Sequence, residues 1–291
     1  MTVERSSPCK VNLLLNILGK RSDGFHELET LMQPVRVCDH LQFSRLDREG
    51  VELTCDNPTL PIDSTNLVHR AATAFFQAAS LRGGVRIHLQ KRVPLAAGLG
   101  GGSSNAANTL LGLNELFGFP LAADRLTSAA ASLGSDVPFF LQPCAALATG
   151  RGERIVPLDA LPALHGAFIL LIYPGFGIST AWAYGQLARF PEALNGEPGR
   201  GQKLIALLQE EDLSVASKSF YNSLEAPALK KYPLLVMFQE FLRSNGATAT
   251  LMSGSGSTTF AITRDDAGAR ALAEMFKRKF GETHWLAVVP L

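Results

Sequence analysis

The sequence predicts an α+β protein in two parts. Three observations carry that prediction. Strand-like and helical runs alternate through the first half. The second half follows the order β-α-β-β-α-β. Between them residues 157–166, with Pro162 inside, break the pattern. At 291 residues the chain suits one large or two modest domains and can bury a core. We divide it into residues 1–160 and 161–291.

Apolar and β-favouring runs over residues 10–18, 35–43, 51–55 and 85–93 predict four strands in the first half. Helices are expected over 66–79, 103–117 and 123–133, and a short strand pair over 144–148 and 154–157. In the second half, 168–173 reads as a strand, with helical sequence from Thr180 towards Leu187 and again over 203–209. Leu234, Phe238, Phe241 and Leu242 recur at helical spacing and stop before Asn245-Gly246, a good helix end. Residues 248–252 and 258–262 are strand-like and joined by Ser253-Gly-Ser-Gly-Ser257, which reads as a hairpin turn or as a second backbone cradle. Leu272, Met275 and Phe276 mark another amphipathic helix, and 285–289 a last strand. Allowing for extra helices in the first crossover, this is the ferredoxin-like split motif. Residues 191–201 read as the one loop-like, weakly ordered segment.

Composition narrows the function. Net charge is +1 with no long basic run, which argues against nucleic-acid and membrane-surface partners. Cys9, Cys38, Cys55 and Cys144 are scattered, so neither a zinc site nor a disulfide framework is expected, and a reducing cytoplasm is the simplest setting. Residues 1–8 show no apolar core of a signal peptide, and 167–173 is apolar but too short to span a bilayer. The histidines lack metal spacing, and H-E-x-x-H and G-x-S-x-G are both absent, so a hydrolase has little support.

The chemistry concentrates in Pro94-Leu95-Ala96-Ala97-Gly98-Leu99-Gly100-Gly101-Gly102-Ser103-Ser104, between a predicted strand and a predicted helix. Four glycines in five positions let a ligand approach the main chain. Paired serines follow where a helix begins, and free N–H groups with the positive dipole end favour an anion there. A Walker loop would need Lys after its last glycine, and Ser103 stands there instead. The dinucleotide fingerprint fits Gly98 and Gly100 but meets Ser103 at its third position, and its ribose-binding acid is missing, since Asp124 falls inside helical sequence. The loop therefore reads as a phosphate cradle of another kind.

Other residues read blandly by themselves. Asp136, in Gly134-Ser-Asp-Val-Pro138, is the outstanding acid, yet Asp ahead of Pro also caps helices. Lys10 at the start of an apolar strand reads as a solvated end, Asn66 as a helix cap, and Phe25 and Tyr184 as core aromatics.

Three segments together resemble the GHMP small-molecule kinases: the loop, Cys9-Lys10-Val-Asn12 running on to Asp23-Gly24-Phe25-His26, and Leu251-Met-Ser-Gly254-Ser-Gly256-Ser-Thr258. They stand in the family's order across nearly the whole chain. The resemblance implies a two-domain GHMP-kinase-like fold: an N-terminal α+β domain of the ribosomal-protein-S5-like type and a C-terminal ferredoxin-like domain, with the active site in the cleft between. It also implies ATP, with Mg2+, held by the loop 94–104 and Asn66. Lys10 and Asp136 become the catalytic pair, Lys10 reaching Asp136 and the acceptor hydroxyl. Ser104 is offered as a loop donor to the metal, whose remaining ligands stay unknown. Asn12, Phe25, His26, Thr180 and Tyr184 would bind the acceptor, a small cytidyl diphosphate sugar alcohol, with two aromatic rings around a cytosine and His26 at its edge. Family members often carry Tyr where Phe25 stands, so a hydroxyl is lost and stacking kept. Mevalonate-, phosphomevalonate- or homoserine-type substrates, or a nucleotide-binding regulator without catalysis, are the alternatives.

Overall fold

The computed structural model describes residues 2–291; Met1, the first residue of the segment read for a leader, lies outside them. The chain forms two compact units that interleave in sequence. One takes the chain up to Cys9, Val37–Val93 and Gly100–Pro143; the other takes Lys10–Arg36, Pro94–Leu99 and Cys144–Leu291. This differs from a single cut after residue 160. The reason lies in two long strands, β1 (Thr2–Lys20, 19 residues) and β2 (His26–Leu46, 21 residues). Each is roughly three times the usual strand length, so each contributes to two cores. The expected strands 10–18 and 35–43 are only their most apolar stretches.

In the first unit, β3 (Gly50–Cys55), α1 (Leu67–Ala79), β4 (Gly84–Gln90), α2 (Gly101–Leu116) and α3 (Ala123–Leu133) follow in order. β3 lies parallel to β4, with Gly50 opposite Gly84 and Cys55 opposite Leu89. β4 runs antiparallel to the second half of β2, with His40 opposite Gln90 and Leu46 opposite Gly84. Val85, Ile87 and Leu89 are buried while Arg86 and His88 are exposed, the period-two pattern of a half-buried strand. α1 packs against α2 and α3. α2 is buried continuously from Ser104 to Leu110, as suits a helix enclosed on most sides. Its Gly112 faces the buried ring of Phe43; a Cβ there would lie 2.5 Å from the ring's Cε2.

The second unit adds β5 (Ala146–Gly150), β6 (Arg154–Pro157), β7 (Phe168–Tyr173), α4 (Thr180–Gln186), α5 (Pro191–Leu194), α6 (Arg200–Gln209), α7 (Leu213–Ala216), β8 (Tyr221–Asn222), α8 (Glu225–Lys231), α9 (Pro233–Ser244), β9 (Ala249–Met252), β10 (Thr259–Thr263), α10 (Asp266–Phe280) and β11 (Trp285–Pro290). β5 pairs antiparallel with the first half of β2 and with β6, and β8 pairs parallel with β1 at Leu14 and Leu15. β7, β9, β10 and β11 form an antiparallel sheet in the order β11-β7-β10-β9. First strand flanked by fourth and third, second at the edge: this is the ferredoxin-like arrangement that the β-α-β-β-α-β order predicts. Its core is closed by Phe238 and Phe276, edge to face with centroids 4.7 Å apart.

Residues 191–201 are better ordered than their composition suggests. They contain α5, and Glu29 of β2 anchors their end. The Gly199 and Gly201 N–H groups donate to its carboxylate at 2.7 and 3.2 Å, and Asn16 donates to the Glu197 carbonyl at 2.8 Å. Glu29 is buried and caps the start of α6 from 170 residues away. Local sequence carries no signal for such a cap. No helix among the described residues is long and apolar enough to cross a membrane.

The Gly112–Phe43 contact sets a stability prediction. Gly112→Ala should lower the unfolding free energy by about 1–3 kcal/mol, since overpacking outweighs the helix-propensity gain. Urea denaturation reads this directly, and an unchanged midpoint would show that the ring has room to move.

Candidate active site

The glycine loop leaves β4 and turns three times into left-handed backbone, at Ala96 (φ 52°), Gly98 (φ 77°) and Gly100 (φ 69°). α2 then begins at Gly101, two residues ahead of the expected Ser103. Its cap is Gly100, and no side chain satisfies the first-turn N–H groups. Those donors and the helix dipole remain available to an anion. The paired serines part company. Ser103 is partly exposed, whereas Ser104 is fully buried and its hydroxyl accepts from Ser7 at 2.8 Å. Ser104, offered as a metal donor, thus turns its hydroxyl to Ser7 in the interior.

Within the second unit, the start of the loop is fastened from two sides. The Gly98 carbonyl accepts from Lys10 Nζ at 3.3 Å and from Ser253 Oγ at 2.9 Å. The Lys10 N–H donates to the Leu99 carbonyl at 2.9 Å, and the Thr258 N–H to the Ala97 carbonyl at 3.1 Å. A Cβ on Gly98 would fall 2.1 Å from the Ser253 carbonyl oxygen, so backbone meets backbone here with no room between. The stretch 253–257 is thus more than a hairpin turn. Asn222, which sequence reading missed, donates to the Met252 and Gly254 carbonyls at 2.7 and 2.8 Å and holds that turn in shape. A single buried Asn has no period or motif that would have announced it.

Lys10 is 3% exposed and so is no solvated strand end. Its ammonium donates to Asn12 Oδ1 at 2.6 Å. Asn12 in turn donates to the Thr30 hydroxyl at 2.8 Å, which donates to the Leu14 carbonyl at 2.6 Å. The expected substrate residue Asn12 thus spends its amide on Lys10 and Thr30. Burying a cation is costly unless such partners surround it, so the chain fixes one ammonium against the glycine loop.

The residues expected to bind the acceptor lie partly together. α4 opens on Ser179, whose hydroxyl accepts from the Trp182 N–H at 3.3 Å, and it sets Thr180 and Tyr184 one turn apart. Thr180 Oγ1 meets Ser255 Oγ at 3.0 Å. The rings of Tyr184 and His26 lie 5.0 Å apart at 41°. Phe25 is 51% exposed, which rules out a core role, and the Arg151 guanidinium covers its ring at 4.7 Å. Arg151 is a second residue that sequence reading missed. Partial burial, and then the charge of Lys20, hold the His26 imidazole below its ordinary pKa. A neutral imidazole offers one donor and one acceptor.

In the first unit, Asp136 is partly buried between α3 and the 3-10 turn Pro138–Leu141. The cap position of that turn falls on Val137, one residue after Asp136. Val137, Pro138, Phe139 and Phe140 are all buried behind it. Asn66 does cap α1: its Oδ1 accepts from the Val68 N–H at 2.9 Å and its Nδ2 donates to the Pro61 carbonyl at 2.7 Å. Among the described residues, no group of three or more His, Cys, Asp or Glu side chains is placed to hold a metal ion.

Comparison with known proteins agrees with this geometry. The profile of the GHMP kinases N terminal domain matches residues 66–143, and that of the GHMP kinases C terminal domain matches 204–282. A 4-diphosphocytidyl-2-C-methyl-D-erythritol kinase of Syntrophotalea carbinolica is 38% identical over 279 residues, covering 94% of each chain. One from Acaryochloris marina is 39% identical, covering 92% of this chain and 88% of its own. Among solved structures, a 4-(cytidine 5'-diphospho)-2C-methyl-D-erythritol kinase superposes over 99% of both chains with a TM-score of 0.81 and 36% identity. A homoserine kinase from Cytophaga hutchinsonii shares the fold at a TM-score of 0.75 and 19% identity, over 99% of this chain and 93% of its own. With a glycine loop opening a helix, a buried lysine on its carbonyl and matches at this level along its length, the chain belongs to the GHMP kinase family.

Proposed function

We propose that the chain transfers the γ-phosphoryl group of ATP to the 2-hydroxyl of 4-diphosphocytidyl-2-C-methyl-D-erythritol, giving the 2-phosphate and ADP, a step of non-mevalonate isoprenoid precursor biosynthesis. The observation that carries this reading is the near-full-length likeness, at 38–39% identity, to curated relatives that bear the name of that kinase. The GHMP kinases are phosphotransferases, so a catalytic chain is favoured over a nucleotide-binding regulator. The presence of both Lys10, which is buried, and Asp136 favours it too. A mevalonate-, phosphomevalonate- or homoserine-type acceptor is the second reading. The solved homoserine kinase, at 19% identity, speaks only to the fold.

In this mechanism the residues 94–104 seat the nucleotide, with the uncapped first turn of α2 donating to its phosphates. Asn66 would lie by the adenine through the backbone it shapes, since its amide is engaged as a cap. The acceptor oxygen attacks the γ-phosphorus as the bond to the β,γ-bridging oxygen breaks. Asp136 orients the hydroxyl and takes its proton; a loose transition state asks little more of it. Lys10 offsets charge on the phosphoryl oxygens from a position fixed before substrate arrives, so little reorganisation is needed. His26 and Tyr184, with Phe25, hold the cytosine, and Arg151 adds a cation next to that ring. Asn12 and Thr180 contribute to the sugar-alcohol end, Asn12 mainly through Lys10.

Magnesium, when bound, neutralises the β- and γ-phosphate oxygens. Its usual protein anchor is one or two carboxylates, the rest of its shell being phosphate and water, and Asp136 with the partly exposed Ser103 fits that modest demand. We keep 1–160 and 161–291 as the nucleotide and ferredoxin-like domains of the family fold. The four cysteines are scattered along the chain without a paired motif, which supports a reducing, cytoplasmic setting.

The reading is tested by ADP release with ATP, magnesium and the cytidyl substrate against mevalonate and no-acceptor controls. Turnover with the cytidyl substrate alone is expected; turnover only on another alcohol would discard the acceptor assignment. Asp136→Ala should lose about 10²-fold or more in kcat while retaining ATP binding, and full activity would remove Asp136 from the mechanism. The acceptor KM should also report on His26. Its imidazole titrates below the ordinary value, so KM should stay flat as pH falls through about 6.5 and rise only lower, where the ring gains its proton. A rise beginning near neutral pH would contradict that assignment.

A further inference from the structure

We propose that Asp39 is a positioning residue for the nucleotide loop, acting through Lys91 and Asn105. The inference rests on the reading of residues 94–104 as the ATP site. Asp39 lies in β2, far from the loop in sequence, and is 0% exposed. Its Oδ1 accepts the N–H groups of Arg92 at 2.7 Å and Val93 at 2.9 Å, the two residues that lead into Pro94. Its Oδ2 accepts from Lys91 Nζ and from Asn105 Nδ2, the latter at 2.9 Å in the first turns of α2. One carboxylate therefore grips the chain just before the loop and just after it.

The same cluster reaches the helix start. Lys91 Nζ donates to Asn105 Oδ1 at 3.1 Å, and Asn105 Nδ2 donates to the Ser7 hydroxyl at 2.9 Å, which donates to Ser104 Oγ. A Cβ on Gly101 would lie 3.5 Å from the Lys91 ammonium, so the helix opens directly over that charge. Backbone N–H groups can bind a phosphate only if they converge on it, and a glycine-rich loop has little stiffness of its own. Convergence here must come from its ends. Asp39 holds both, and its charge balances a lysine that would otherwise stand uncompensated in the interior.

The test compares Asn105→Ala and Asp39→Asn with the unaltered protein, reading ADP affinity by calorimetry, KM for ATP and KM for the acceptor. Asn105→Ala keeps the Asp39–Lys91 pair and removes the helix side, with its bonds to Asp39, Lys91 and Ser7. It should weaken ADP binding and raise the ATP KM about tenfold or more, since two of the three lost bonds are to charged groups, while the acceptor KM stays within about twofold. Asp39→Asn should go further in the same direction. Because that change leaves Lys91 uncompensated, the pair Asp39→Asn with Lys91→Met supplies a folded comparison. It should recover thermal stability without recovering nucleotide affinity. Equal ADP affinity in folded Asn105→Ala and in the double variant overturns the proposal and leaves the loop's assignment standing. So does a parallel loss in both KM values, the mark of a general structural defect. Failure of the unaltered protein to bind ADP overturns the assignment of the loop, and the positioning role falls with it.

Discussion

The carbonyl of Gly98 is the point on which the site depends. A buried ammonium and a hydroxyl from a turn 155 residues later both donate to it. Both approaches need the peptide bare, because a Cβ on Gly98 would sit on the Ser253 carbonyl. The first glycine run is therefore defined by contact with the second as much as by any ligand. Lys10 is positioned as a consequence: its backbone pairs with Leu99, its side chain with Gly98 and Asn12. An ammonium held this way is largely withdrawn from water and limited in its rotamers.

Buried polar groups do comparable organising elsewhere, each reaching across long stretches of chain. Asp39 gathers the residues on either side of the loop. Glu29 caps α6 and fastens the segment before it. Asn222 shapes the turn at Ser253. Left unpaired, any of these would carry a penalty of a few kcal/mol, so their pairings favour a single arrangement of the loops. Apolar packing, in the Phe238–Phe276 cluster and under α2, supplies bulk stability without that selectivity.

What could be read from the sequence was what depends on neighbours along the chain. Period-two and helical patterns located β4, α1, α3 and α9, whose burial is periodic, and an unbroken apolar run located β7, which is buried on both faces. The same method shortened β1 and β2, because their polar stretches break the alternation that marks a strand. The glycine loop was legible as a turn opening a helix, and family likeness suggested roles for Lys10, Asp136, Phe25, His26 and Tyr184 that composition and spacing could not. Arg151, Asn222 and Asp39 were not legible. Their importance lies in partners distant in sequence, and a lone Arg, Asn or Asp has no signature.

The sequence by itself therefore determined the fold class, the ferredoxin-like order of the second half and the place of the glycine loop at the start of a helix. Local propensity, periodicity and glycine's conformational freedom act within a few residues, and they suffice for those features. Tertiary structure alone decided that Lys10 is buried rather than solvated, and that Ser104 turns its hydroxyl to the interior while Ser103 stays partly exposed. Burial and long-range hydrogen bonding set those outcomes. They depend on which segments meet in three dimensions, and one strand or helix carries no record of its distant partner.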